Sequence, residues 1–301
     1  MSKTWLQRPI AGVLLDVTGV LYDSGDGDGH AIPGSVDAIE RLQSSTCKVR
    51  FVSNESTNTR QHLVDKLTRL GFSLSVDQLF TPAPACRSYL LQNKLRPHLL
   101  VHPDLGAGCF VRDTTVFHNR DETMSKLDII DGKIPEFRDI PTDSPNCVVL
   151  GDAQQYFTWQ NMNMAFQKLL EMEKRREEPV LLTLGAGKYY KETDGLKLDV
   201  GSFAKALEHA LDINITAVLG KPSDAFFTAA LSDMGLTKDQ VVMIGDDIVS
   251  DVGGAQACGI RGVQVRTGKW RPEWEQHPTV KPDAIVDNLA DAVDQILAIY
   301  P

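Results

Sequence analysis

The apolar run Gly12-Val13-Leu14-Leu15 stops abruptly at Asp16-Val17-Thr18-Gly19-Val20. A short run without polar interruption reads as a buried strand. It hands over to a carboxylate, a small hydroxyl side chain and a glycine. A strand ending this way aims one carboxylate out of the C-terminal edge of a sheet, where open α/β sheets bind ligands. That carboxylate can act as a nucleophile or as a ligand to a hard cation. Taken alone, the string is also what an ordinary strand-to-turn exit looks like.

Three later segments repeat the pattern. Val49-Arg50-Phe51-Val52 leads into Ser53-Asn54. Val218-Leu219 leads into Gly220-Lys221-Pro222, and Val241-Val242-Met243-Ile244 leads into Gly245-Asp246-Asp247, with Asp251 further on. Each apolar run has strand length and ends in residues suited to a phosphate and a divalent cation. Between the runs lie helical patterns at Ser35 to Gln43, Thr57 to Leu70 (with Gly71 as its stop), Tyr156 to Lys174, Ser202 to Leu211 and Leu289 to Ile299. This alternation argues for an α/β fold built from parallel βαβ units.

Thr81-Pro82-Ala83-Pro84 breaks the pattern and marks a junction. A second module follows from about Ala85 to Ala217, with strands at Leu99 to His102, Cys147 to Leu150 and Val180 to Leu184. Leu219 returns the chain to the first module, which closes with strands at Val263-Gln264-Val265 and Ala284-Ile285-Val286. Residues 1–84 and 218–301 therefore read as one domain and 85–217 as an insertion into it. The polar stretch from Pro103 to Pro145 reads as a mobile excursion or a hairpin. The run Asp23-Ser24-Gly25-Asp26-Gly27-Asp28-Gly29 makes a poor calcium loop, because Ser24 and Ser35 fall where acids are required. It reads better as a polar loop after the first strand.

The formal net charge of −9 over 301 residues disfavours a nucleic-acid partner. It does not disfavour a small phosphate, since one cation and one lysine can reverse the local sign. The five cysteines form no Cys-x-x-Cys pair and read as thiols in a reducing compartment. No apolar run approaches membrane-spanning length and Met1 to Arg8 carry no cleavable signal, so the expectation is a soluble cytoplasmic or nuclear protein.

Asp, then Ser, then Lys, then paired Asp, each after a strand, is the ordered motif set of the haloacid dehalogenase-like phosphatases. The chain resembles that superfamily along nearly its whole length. An insertion between the Ser53 and Lys221 motifs corresponds there to the larger type of cap domain. This subgroup includes the pyridoxal phosphate and nitrophenyl phosphate phosphatases. Within it, Gly19-Val20-Leu21-Tyr22-Asp23-Ser24-Gly25, Asn54-Glu55-Ser56, Gly187-Lys188-Tyr189-Tyr190-Lys191-Glu192-Thr193 and Gly245-Asp246-Asp247-Ile248-Val249 are most similar to phosphatases of phosphohistidine, phospholysine and pyrophosphate.

The resemblance implies a Rossmann-like, doubly wound parallel sheet with an inserted α/β cap, working as a magnesium-dependent phosphohydrolase. Asp16 would be the nucleophile. Asp16, the carbonyl of Thr18 and Asp246 would hold Mg2+, with Asp247 and Asp251 orienting bound waters or completing the shell. Ser53 and Asn54 would donate to phosphoryl oxygens, Lys221 would hold phosphate and Asp16 in register, and Gly19 would let the backbone approach the phosphoryl group. The partner would be a small phosphorylated substrate, or phosphohistidine or phospholysine in a protein. The protein would be a homodimer.

Position 18 departs from the common pattern. Most phosphatases of the superfamily carry an acid–base Asp two residues after the nucleophile, and Thr18 cannot transfer protons near neutral pH. Positioned acid–base groups contribute roughly 10²–10⁴-fold. Alkyl phosphates, with their poor leaving groups, should suffer most, while P–N and P–O–P bonds suffer less. Thr18 equally permits a long-lived phosphoenzyme, or a catalytically weak phosphate-binding or scaffolding protein. A small-molecule phosphomonoesterase is a further alternative. Lys188, Tyr189, Tyr190, Lys191 and Asp194 could overhang the site from the cap, or the two tyrosines could be cap core or an interface.

Overall fold

In the computed structural model the described residues are 4–106, 137, 140–192 and 195–300. β1 (Gly12–Leu15) is buried along its whole length. The chain then makes a small antiparallel hairpin of β2 (Tyr22–Asp23) and β3 (His30–Ala31), so the polar run expected as a plain loop is the tip of a hairpin. α1 (Ser35–Ser44), β4 (Lys48–Val52), α2 (Arg60–Arg69) and β5 (Leu79–Phe80) follow. α2 begins three residues later than its apolar pattern suggests, because Thr59 caps it by accepting from the His62 N–H.

The Pro82-Ala83-Pro84 segment does not break the chain. It opens α3 (Pro82–Gln92), with proline in the first turn, where a missing N–H costs nothing. Then come β6 (Pro97–Leu100), α4 (Pro103–Gly106), β7 (Cys147–Leu150), α5 (Trp159–Lys174) and β8 (Leu181–Thr183). The stretch between Pro103 and Pro145, expected as an excursion or hairpin, lies mostly outside the described residues, as do Cys109, Thr193 and Asp194. An antiparallel pair, β9 (Tyr189–Glu192) and β10 (Gly195–Leu198), precedes α6 (Val200–Leu211) and β11 (Ala217–Val218). The chain ends with α7 (Asp224–Met234), β12 (Val241–Gly245), α8 (Gly254–Ala257), β13 (Arg261–Val265), β14 (Ala284–Val286) and α9 (Leu289–Leu297).

Two parallel sheets result. The larger has the order β14-β13-β12-β1-β4-β5 and the smaller the order β11-β8-β7-β6. In the larger sheet β1 lies between β12 and β4, Leu15 pairing with Ile244 on one side and Phe51 on the other. The chain leaves β1 in one direction and returns to its other flank. Asp16 therefore sits at the switch point of the sheet, where neighbouring crossovers diverge and a crevice opens. Leu15, Ile39, Leu67, Val242 and Val293 fill one face of this sheet, and Leu14, Phe227, Met234 and Met243 fill the other.

The strand before Lys221 is a correction. Ala217–Val218 pairs with β8 in the smaller sheet and not with the larger one. Its packing follows suit, since Leu219 lies with Ala83, Leu90, Val149 and Leu182. Apolar character alone cannot say which of two sheets a two-residue strand joins.

Candidate active site

The ends of β1, β4 and β12 of the larger sheet and of β11 of the smaller converge, with residues after β13 and β7, on one cavity of about 730 Å³. Its lining includes all nine residues expected to serve catalysis, phosphate or metal: Asp16, Thr18, Gly19, Ser53, Asn54, Lys221, Asp246, Asp247 and Asp251.

Val17 is fully buried, so the alternation of the chain turns Asp16 and Thr18 the other way, into the cavity. The backbone then closes a tight turn, with the Leu21 N–H on the Val17 carbonyl and the Gly19 N–H on the Tyr22 carbonyl. Gly19 takes φ +87°, and a Cβ there would overlap the Asp246 carboxylate. Both facts require glycine. The Thr18 hydroxyl donates to the Tyr22 hydroxyl at 3.2 Å, so its side chain is held by the turn.

Lys221 is 2% exposed and its Nζ reaches Asp16 Oδ1 at 2.5 Å and Asp251 Oδ1 at 2.8 Å. Burial alone would lower its pKa, but the two carboxylates more than reverse this and hold it charged. One carboxylate oxygen from each of Asp16, Asp246 and Asp251 lies within 4.8 Å of the others. Burial and the Asp16 charge push Asp251 up to about 7. Burial first, with Asp16 and Asp251 adding to it, also raises Asp246 well above the ordinary carboxylate range. Carboxylates so crowded need a cation or a proton. Asp246 Oδ1 is buried with no hydrogen-bond partner among the described residues. An orphaned oxygen in an all-oxygen cluster fits a hard divalent cation.

Asp247 falls outside that cluster. Its Oδ1 caps the turn Ile248–Gly253, accepting from the Val249 and Ser250 N–H groups at 2.9 and 3.0 Å. Its Oδ2 pairs with Lys269 Nζ at 2.8 Å. Burial would raise its pKa, but the Lys269 ammonium and these N–H donors take it below the usual value. The Asn54 side chain is likewise committed, to the backbone of Lys221. Ser53 lines the cavity, its hydroxyl accepting from the Glu55 N–H at 3.1 Å.

The sequence reading missed Lys269. Its N–H donates to Asp246 Oδ2 at 2.8 Å while its ammonium holds Asp247. The signal was present, since β13 is followed, after Arg266, by Thr267-Gly268-Lys269, a glycine and a charge just beyond a strand. From the side of the smaller sheet, Asp152, Tyr190, Lys191, Glu192 and Asp199 line the cavity. Lys191 Nζ donates to the Gly268 carbonyl at 2.9 Å, tying the β9–β10 hairpin to the larger sheet. Tyr190 faces the site, whereas Tyr189 packs beneath the Arg271 guanidinium at 4.9 Å. Lys188 is not among the lining residues.

A buried carboxylate, a lysine against it and a cluster of three acidic side chains at a sheet switch point are the parts a phosphate-handling hydrolase centre requires. The chain belongs to the haloacid dehalogenase-like hydrolase family. The family model of that description matches residues 13–114, and a second, HAD-hydrolase-like model matches residues 218–292. It is 52% identical to the phospholysine phosphohistidine inorganic pyrophosphate phosphatase of Homo sapiens, over 96% of this chain and 94% of that one. It is 51% identical to the protein of the same name from Danio rerio, over 96% and 95%. In fold it is similar to the 4-nitrophenylphosphatase of Thermotoga maritima, with TM-score 0.73, 23% identity and coverage of 95% and 97%.

Proposed function

We propose that this enzyme hydrolyses the P–N bonds of phosphohistidine and phospholysine, and inorganic pyrophosphate, through a phosphoaspartate at Asp16. The observation that carries the reading is the Asp16–Lys221–Asp251 contact set beside the orphaned oxygen of Asp246. The names of the half-identical relatives support the substrate class. The proposal includes Mg2+, held by Asp16, the Thr18 carbonyl and Asp246, with Asp251 completing the shell; it would neutralise the phosphoryl oxygens.

The chain's own residues do the rest. Asp16 attacks phosphorus in line with the departing group. Lys221 screens the negative charge that otherwise keeps a carboxylate from a phosphate. Ser53 and the turn at Gly19 position the phosphoryl oxygens, while Asp247 acts through Lys269 on Asp246. A core with an inserted cap belongs to the same reading; because Val218 pairs in the smaller sheet and Leu219 packs against it, we take the cap to end after Leu219 rather than at residue 217. A homodimer, which the resemblance implies, belongs to that reading too. Among the described residues no helix is long and apolar enough to cross a membrane.

A rate panel tests it, covering phosphohistidine, phospholysine, pyrophosphate, phosphotyrosine and an alkyl phosphate with and without Mg2+. The expected order places the alkyl phosphate last, and Asp16→Asn removes multiple turnover on every substrate. Tight phosphate binding with no turnover would make the protein a binder instead.

A further inference from the structure

We propose that Asp152, on the cap side of the cavity, carries out the proton transfers that Thr18 cannot. This deepens the Asp16 phosphoenzyme reading and rests on it. In-line displacement puts the leaving group opposite the nucleophile. Asp16 enters the cavity from the end of β1, and the inserted segment closes the same cavity with Asp152 after β7, Tyr190 and Glu192 on β9, and Asp199 before α6, with Glu55 also lining it.

Most of these groups are otherwise engaged or wrongly tuned. Asp199 caps α6, its Oδ1 accepting from the Val200 N–H at 2.7 Å. Glu55 Oε1 accepts the Thr57 N–H at 2.6 Å and the Thr57 hydroxyl as well. Burial, with the surrounding carboxylates, drives the Tyr190 phenol above its ordinary range. Lys191 is turned to the Gly268 carbonyl.

Asp152 is placed differently. It follows β7 in the string Gly151-Asp152, the same strand ending that delivers Gly245-Asp246 from β12. A Cβ at Gly151 would meet the Leu184 and Val101 side chains, so the chain is closely packed where it delivers Asp152. Its N–H donates to Ser56 Oγ at 2.9 Å, which anchors it to the loop carrying Ser53 and Asn54. Its Oδ1 accepts from the Gln154 N–H at 3.1 Å. Burial, helped by the charges of Asp199, Glu55 and Glu192, raises it to about 7. A carboxyl tuned near neutral pH can both give and take a proton.

The steps balance. An Asp16 oxygen forms its bond to phosphorus as the P–N bond of phosphohistidine breaks, its electron pair passing to the ring. The proton of the Asp152 carboxyl goes to the second ring nitrogen, so imidazole leaves rather than imidazolide. Water then attacks phosphorus from the vacated side. The Asp152 carboxylate takes the water's proton, the P–O bond to Asp16 breaks, and inorganic phosphate departs with Asp152 protonated again.

The test compares Asp152→Asn with wild type on phosphohistidine and on 4-nitrophenyl phosphate, whose leaving group needs no proton. Asp152→Ser is run in parallel, so that the pattern must appear in two non-titrating variants. On phosphohistidine kcat should fall about 100-fold or more. On 4-nitrophenyl phosphate the first turnover should survive and the second slow, giving a nitrophenolate burst larger than wild type's. The limb of the pH–kcat/KM profile near pH 7 should vanish. Equal losses on both substrates, with no added burst and an unchanged pH profile, would overturn the role of Asp152. Turnover retained by Asp16→Asn would instead overturn the phosphoenzyme reading itself.

Discussion

The Asn54 carboxamide brackets the backbone of Lys221, 167 residues away: its Oδ1 accepts the Lys221 N–H at 2.7 Å and its Nδ2 donates to the Lys221 carbonyl at 3.0 Å. Lys221 follows a strand of the smaller sheet, yet its ammonium must reach Asp16 at the end of β1 in the larger. Asn54 is the clamp that makes this geometry repeatable, and so acts as a positioning residue. Asn54→Ala leaves a part-buried N–H and carbonyl without partners, a cost of roughly 1–3 kcal/mol. The expected result is a tenfold or larger fall in kcat with a lowered melting temperature. Asn54→Asp restores the acceptor but not the donor and should recover part of the loss. A wild-type kcat in Asn54→Ala would rule the clamp out.

Lys221 itself should not tolerate conservative exchange. Its compact ammonium sits between two carboxylates at 2.5 and 2.8 Å, in a space where it is 2% exposed. A planar guanidinium does not fit the same point-charge site. Lys221→Arg and Lys221→Met should both lose on the order of 10²–10³ in kcat, the usual cost of removing one preorganised donor. Near-normal kinetics in Lys221→Arg would show that charge alone suffices.

Cation binding can be read without any assay of turnover. If Asp16, Asp246 and Asp251 share a divalent ion, Mg2+ should raise the melting temperature in proportion to the logarithm of its concentration above Kd. Chelation should reverse the shift. Asp246→Asn should abolish the shift, because it removes the charge of a cluster carboxylate whose buried Oδ1 has neither a hydrogen-bond nor an ion-pair partner among the described residues. An undiminished Mg2+ shift in Asp246→Asn would move the ion elsewhere.

Much of this centre was legible because three strands of the larger sheet, β1, β4 and β12, end at the cavity. Asp16 and Asp246 each follow an apolar run buried on both faces, and Ser53 follows a strand whose last two residues, Phe51 and Val52, are buried. What sequence could not show was the work each polar side chain does once packed. Asn54 reads as a phosphate donor until Lys221 is beside it, and Asp247 reads as a ligand until Lys269 arrives from the far end of β13. Pro82 reads as a breaker because the same residue that stops a helix interior also starts one. The sheet membership of Ala217–Val218 depends on its neighbours in space, which a two-residue strand does not encode.

Gly19 offers a sharp test of the turn. Its φ of +87° is strained for any L side chain, and its missing Cβ makes room for the Asp246 carboxylate. Gly19→Ala should therefore lose stability by about 1–3 kcal/mol and lose both Mg2+ binding and most activity. Because the overlap is with Asp246, the pair Gly19→Ala and Asp246→Asn should be clearly non-additive in metal affinity. Additive effects would mean that the alanine acts through the backbone alone.

Asp152 makes a stability prediction whose sign differs from that of most carboxylates. Its native pKa stands at about 7 against an ordinary 3.8, burial being the main cause, with Asp199, Glu55 and Glu192 adding to it. Between those values the native state keeps a proton that the unfolded chain has released. Stability from this group is therefore full below about pH 4, falls as pH rises through the window, and levels off above about pH 7. Asp152→Asn keeps an oxygen for the Gln154 N–H and has no charge to desolvate. Its stability relative to wild type should climb between pH 5 and pH 8, by roughly 1–4 kcal/mol. Groups common to both proteins cancel in the difference, so paired denaturant titrations at the two pH values isolate the effect. The variant that loses proton transfer should thus be the more stable protein at pH 8. Parallel curves would mean that Asp152 is ionised throughout and unfit for the proton-transfer role.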